Sequence, residues 1–144
     1  MKLAIANDHR GYNLKKYIIK HMKDIEFIDL GTDSDKACDY VDYGIKLAEY
    51  CVKHNTKGIA ICGSGIGMSI ICNKVNGIRC GRVASIKDTV VTRNDNDANI
   101  ISFSGDLNEK RAIRIIETFI STPHSDEEKH HRRVSKIIKY EENR

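Results

Sequence analysis

Leu3-Ala4-Ile5-Ala6 is an apolar run that stops abruptly at Asn7-Asp8, and a stripe at helical spacing (Leu14, Tyr17, Ile18, Met22) follows it. This alternation returns along the whole chain, and nothing else in the sequence constrains the fold as strongly. Short runs with apolar residues at consecutive positions are strands buried on both faces, as parallel sheets require. Glu26 to Leu30, Gly58 to Cys62, Ile78 to Ala84 and Asn99 to Phe103 supply four more. Tyr43, Leu47, Ala48 and Cys51 mark a helix, and another runs from about Ile66 to Val75. Ala112, Ile113, Ile116, Phe119 and Ile120 form a stripe that ends near Pro123. A last helix spans about Asp126 to Tyr140, with Val134, Ile137 and Ile138 on its apolar face and Ser125 placed as its N-cap. On the first helix, Lys15, Lys16, Lys20 and Lys23 are expected on the outer face. The prediction is an α/β fold: a three-layer, Rossmann-like, doubly wound sheet of five parallel strands with a C-terminal helix.

In such a sheet, ligands sit outside the carboxyl ends of the strands, at the switch point of strand order. Asp8-His9 follows the first strand and Cys62 ends the third, so both project from one edge. In a 2-1-3-4-5 order they face each other across the crevice.

At 144 residues the chain reads as one domain over 1–144, long enough to bury a proper core. Apolar content of 40% with 31% charged residues is ordinary for a soluble protein, and a net charge of +4 is mild. The basic run Lys129-His130-His131-Arg132-Arg133 has no interleaved aromatics, which argues against a nucleic-acid partner. Five cysteines without paired CxxC spacing fit free thiols in a reducing compartment. The start of the chain has too short an apolar run for a signal peptide, and no stretch approaches membrane-spanning length. A cytoplasmic location and no membrane contact are the expectation.

The chemistry concentrates at Cys62-Gly63-Ser64-Gly65-Ile66-Gly67-Met68. A glycine turn between a strand and a helix leaves backbone N–H groups unpaired, and the helix start favours an anion. The spacing is not a dinucleotide fingerprint. Met68 stands where the third glycine belongs, and no Asp or Glu occurs from Ile66 through Lys87. Cys51 and Cys72 read as small buried hydrophobes, whereas Cys62 sits where a helix start favours the thiolate over the thiol. A thiolate base on carbon, with amide donors on the developing oxygens, suits proton abstraction beside a carbonyl. Asp8 could cap the strand end, but opposite Cys62 it could also move hydroxyl protons, and His9 could touch a phosphate. Asp95-Asn96-Asp97-Ala98-Asn99 imitates the start of a calcium loop. Ile100 occupies the position that needs glycine, and His124, His130 and His131 lack zinc spacing, so no metal is expected.

Asn7-Asp8-His9-Arg10-Gly11-Tyr12, Asp29-Leu30-Gly31-Thr32, Asp39-Tyr40, Ile61 through Ser69, Asn73-Lys74 and Gly77-Ile78-Arg79 come in an order that resembles ribose-5-phosphate isomerase B and the related galactose-6-phosphate isomerase subunits. Asn96-Asp97-Ala98-Asn99 and His130-x-x-Arg133-Val134 extend the resemblance over essentially the whole chain. The resemblance implies cofactor-free interconversion of an aldose phosphate and a ketose phosphate through a cis-enediolate. It further implies sites built between subunits of a homodimer, often paired into a dimer of dimers. By position, Cys62 would be the base, because Met68 stands where other members carry a glutamate. Gly63, Gly65, Ile66, Gly67 and Asn96 would hold the enediolate oxygens, and Asp8 and Ser64 would assist ring opening. His9, Lys129 and Arg133 would bind the phosphate end. Asp95 stands in place of the ring-opening histidine, Asp106 in place of an arginine, and Lys129 replaces a bidentate fork by a point charge. The expected substrate is ribose 5-phosphate. Those replacements leave two alternatives: a tetrose or hexose phosphate, or a weakly active subunit of a hetero-oligomeric isomerase.

Overall fold

β1 (Lys2–Asn7) is buried from Leu3 onward, because a parallel strand at a sheet's centre is covered by helices on both faces. It pairs with β2 (Glu26–Asp29) on one side and β3 (Gly58–Cys62) on the other. The computed structural model describes residues 1–144, with all five strands parallel in the order β2-β1-β3-β5-β4. β5 (Ile100–Ser104), not β4 (Cys80–Arg82), therefore lies beside β3, which corrects the expected order. The physical reason is legible in the side chains. Ile100-Ile101-Ser102-Phe103 is fully buried and needs neighbours on both sides, whereas Cys80-Gly81-Arg82 is short and half exposed, as an edge strand should be. The placement of β1 beside β3 is as expected.

Alternating side chains divide the core in two. Leu3, Ile5, Ile59, Ile61, Ile101 and Phe103 face α1 (Tyr12–His21) and α5 (Glu109–Ser121). Ala4, Ala6, Ala60 and Cys62 face α2 (Tyr40–His54) and α3 (Ile66–Cys72). α4 (Ile86–Asn96) packs on α5, and α6 (Glu128–Glu142) packs on α4 beyond the β4 edge.

α4 is a helix with no helical signature in the sequence. It buries only Thr89 and Arg93, so it carries no apolar stripe, while Ser85 caps it by accepting from Asp88 N–H. Ser125 does not cap α6. Glu127 occupies that position without a side-chain bond, and Ser125 Oγ accepts from Glu127 N–H at 2.9 Å. Lys15 is not on the outer face either. Its stem is buried and its ammonium meets Asp29 at 3.1 Å and the Thr32 carbonyl at 2.7 Å. That lysine ties α1 to the loop after β2, because a long stem can cross an apolar surface and still deliver its charge to a partner. No helix is long and apolar enough to cross a membrane.

Candidate active site

The register Asn7↔Ile61 brings Asp8 and Cys62 to adjacent strand ends at the carboxyl edge. Asp8 N–H donates to the Ile61 carbonyl at 3.1 Å. Asp8 Oδ1 accepts from Arg10 N–H at 2.9 Å and Gly11 N–H at 3.3 Å, which starts the 3₁₀ turn His9–Gly11. Capping is thus one role of this buried carboxylate, and its second oxygen has no partner in the chain. His9 Nδ1 accepts from Cys38 N–H at 3.3 Å, so the ring proton is assigned to Nε2, which is left free to donate. The loop before α2 therefore orients His9, a contact that no local sequence pattern announces.

Cys62 is buried, and Gly65 N–H donates to its Sγ at 3.2 Å. Gly65 adopts φ +79°, and a Cβ there would meet the Phe103 backbone at 2.7 Å. Only glycine fits this turn, in conformation and in space. Gly67 likewise leaves room for the Tyr40 ring, which a Cβ would meet at 2.7 Å. Ser64 Oγ accepts from Ile66 N–H at 3.1 Å. The N–H groups of Gly63, Ser64, Gly67 and Met68 have no acceptor in the chain. Met68 itself is fully buried between α2 and α3, far from any role as a base.

Two guanidinium groups flank the loop that sequence reasoning had not placed there. Arg82 Nε donates to the Ser64 carbonyl at 3.1 Å. Arg10 lies alongside Gly63, where a Cβ would meet its Nη1 at 3.6 Å, and pairs with Asp106 at 3.3 Å. The carboxylate that replaced an expected arginine is thus partnered by an arginine from the β1 loop. Only β5 standing beside β3 makes that pairing possible.

Asp95, Asn96, Lys129 and Arg133 are not brought to Cys62 within one chain, as a site shared between two subunits would require. Asp95 and Asn96 end α4, whose C-cap Asp97 leads into β5 at the amino edge of the sheet. Arg79, just before β4, donates from Nε to the Asn96 carbonyl at 3.0 Å. Cys62 stands at the opposite edge, about 13 Å away along β3 at 3.3 Å per residue. Lys129 and Arg133 are exposed one turn apart on α6, with Lys129 3.6 Å from Glu127. Asp95 Oδ1 instead lies 3.5 Å from Nε2 of the buried His130. None of the chain's five cavities is lined by Cys62, Asp8 or His9.

The five cysteines are free thiols. Burial, reinforced by the neighbouring Cys80 charge, pushes the Cys51 thiol up to about 12. Cys72, whose thiol donates to the Gly44 carbonyl at 3.6 Å, is raised by its neighbour Cys80 and by burial, and Cys80 is correspondingly lowered. Cys51 and Cys72 are the inert core thiols their pattern suggested.

A family model described as Ribose/Galactose Isomerase matches residues 3–137. The chain is 35% identical over 148 residues to the ribose-5-phosphate isomerase B of Mycobacterium tuberculosis, covering 98% of this chain and 90% of that protein. Its fold is similar to the ribose-5-phosphate isomerase B of Clostridium thermocellum, with a TM-score of 0.93 and 37% identity over 99% of each chain. It is also similar to the Mycoplasma genitalium ribose-5-phosphate isomerase B solved with bound ribulose-5-phosphate. There the TM-score is 0.92 and the identity 33%, over 99% of this chain and 97% of that one.

Proposed function

The chain belongs to the ribose/galactose isomerase family and is an aldose–ketose isomerase of sugar phosphates, and we propose that it interconverts ribose 5-phosphate and ribulose 5-phosphate. One observation carries the mechanism: Cys62 Sγ, with Gly65 N–H upon it, sits beside the unpaired amides of Gly63 and Ser64. The Cys62 thiolate removes the C2 proton of the open-chain aldose and returns it at C1, while the hydroxyl proton on O2 passes to O1 within the cis-enediolate. The amides of Gly63 and Ser64 hold the enediolate oxygens, where charge develops in the transition state. Only protons move, so the step needs no cofactor. Asp8, through its unpartnered oxygen, and Ser64 assist ring opening, and His9 Nε2–H addresses the phosphate.

The remaining groups come from a second copy. Within one chain the carboxyl-edge half and the α4/α6 half are separated by the length of the sheet, and Ile66, Ile70, Val90, Val91, Ile137 and Ile138 are exposed apolar residues on α3, α4 and α6. A homodimer that covers these side chains would bring Asn96, Lys129 and Arg133 of one protomer to Cys62 of its partner. A carboxylate stands at Asp95, where the resemblance leads one to expect the ring-opening imidazole. The imidazole of His130, 3.5 Å from it, supplies the acid–base group that ring opening needs. A tetrose 4-phosphate, which cannot close a furanose ring, remains the rival substrate, favoured by Asp95 alone.

The test is a coupled assay of the purified protein on ribose 5-phosphate, a tetrose 4-phosphate and a hexose 6-phosphate. The expected ranking places ribose 5-phosphate first in kcat/KM, with turnover lost in Cys62→Ala. A tetrose or hexose phosphate outranking it would overturn the substrate assignment. Retained activity in Cys62→Ala would overturn the mechanism.

A further inference from the structure

Three consecutive carbonyls of the catalytic loop are tied back to the same side of the sheet. The Cys62 carbonyl accepts from Gly105 N–H at 2.8 Å, the Gly63 carbonyl from Ser104 Oγ at 2.7 Å, and the Ser64 carbonyl from Arg82 Nε at 3.1 Å. All three donors stand at the ends of β5 and β4, on the flank of β3 away from β1. The peptide bonds are trans, so each C=O is opposed by the N–H of the next residue. Fixing these carbonyls toward β4 and β5 turns the amides of Gly63, Ser64 and Gly65 the other way. Gly65 shows where that direction leads, since its N–H ends on Cys62 Sγ. Ser104 is itself held, because Asp106 N–H donates to its Oγ at 3.0 Å, which leaves its hydroxyl proton for Gly63.

We propose that Ser104 and Arg82 are positioning residues of the isomerase, holding the glycine loop in the one peptide orientation that presents the amides of Gly63 and Ser64 to the enediolate. This rests on the reading above that those amides are the oxyanion donors. Neither side chain touches the substrate in this scheme. Without the Ser104 hydroxyl the Gly63–Ser64 peptide loses the bond that fixes its carbonyl, and glycine on its N-terminal side offers little resistance to a flip. A flipped peptide would present a carbonyl where the enediolate needs a donor.

The experiment compares Ser104→Ala, Ser104→Thr and Arg82→Ala with the wild type. Three quantities are read: kcat and KM for the aldose–ketose pair the wild type turns over, the affinity of a sugar-acid phosphate hydroxamate that imitates the enediolate, and the affinity of ribitol 5-phosphate, which cannot enolise. For Ser104→Ala the expected result is a fall in kcat of roughly 10- to 100-fold, below the cost of deleting an oxyanion donor outright. KM should stay within about two-fold, hydroxamate affinity should fall in step with kcat, and ribitol 5-phosphate binding should hold. Ser104→Thr, which keeps the hydroxyl, should recover most of the rate. Arg82→Ala, on an exposed side chain that folding does not need, should show the same split with a smaller fall. Equal losses for hydroxamate and ribitol phosphate, or an unchanged kcat in both alanine variants, would overturn the proposal. If the wild type prefers another sugar phosphate, the substrate assignment fails while these ratios, measured on the preferred pair, still decide the positioning role.

Discussion

Nε2 of His130 lies 3.5 Å from Oδ1 of Asp95, joining the start of α6 to the end of α4. The imidazole is held at a place where the local sequence offers only a carboxylate. His130→Asn should lower kcat/KM on ribose 5-phosphate by about 100-fold or more, the usual worth of a positioned acid–base group. A tetrose 4-phosphate, with no ring to open, should be turned over nearly as before. Asp95→Asn provides a check on the more exposed partner. Equal losses on both substrates would show that the pair only supports the helix packing.

Cys62→Ser should cost at least about a hundred-fold in kcat, because a hydroxyl in the same place is far less acidic than a thiol. Its melting temperature should stay close to that of the wild type, since the change is nearly isosteric. Activity and thermal denaturation measured on one preparation check both halves.

The Arg10–Asp106 pair is more than half exposed on both sides, so it adds little to stability. Its effect should appear in substrate binding. Asp106→Asn removes a negative charge from the approach to the glycine loop and frees the guanidinium. KM for the sugar phosphate should fall by roughly two- to five-fold, with Arg10→Gln raising it by a similar factor. Both shifts should shrink as ionic strength rises.

Gly65→Ala should destabilise the fold by about 2–4 kcal/mol. Left-handed backbone strain adds to a contact that Phe103 cannot relieve without moving β5. A fall of roughly 5–15 °C in Tm is expected for a chain of this size. Gly63→Ala should be much milder, because its Cβ would find ordinary contact distances against Arg10.

Cys80 should react with iodoacetamide before Cys51 and Cys72 as the pH is raised through the ordinary thiol range. The neighbouring Cys72 thiol favours its thiolate, helped by Ser102 and Ser69 and opposed by burial, whereas Cys51 is pushed up to about 12 and Cys72 is raised by its proximity to Cys80 and by burial. Peptide mapping of a timed alkylation gives the order.

The sequence by itself determined what depends on neighbours along the chain. Apolar runs such as Leu3 to Ala6 and Gly58 to Cys62, too short for a helix and bounded by turn residues, read as buried parallel strands, and the glycines after Cys62 read as a turn with free amides. Cys62 and its loop were therefore legible as one segment. α4 was not, because a helix that buries Thr89 and Arg93 leaves no apolar stripe to read. Lys15 misled for the related reason that a lysine's pattern shows its charge and not the Asp29 that meets it. What only the tertiary structure decided is everything that crosses the chain. The insertion of β5 between β3 and β4 hands Ser104 and Gly105 to the loop and Asp106 to Arg10. The length of the sheet keeps Asn96 from Cys62, and the packing of α6 on α4 sets His130 against Asp95. Hydrogen bonds and close ion pairs form at about 3 Å in space without regard to separation in sequence, so periodicity could name these residues but could not pair them.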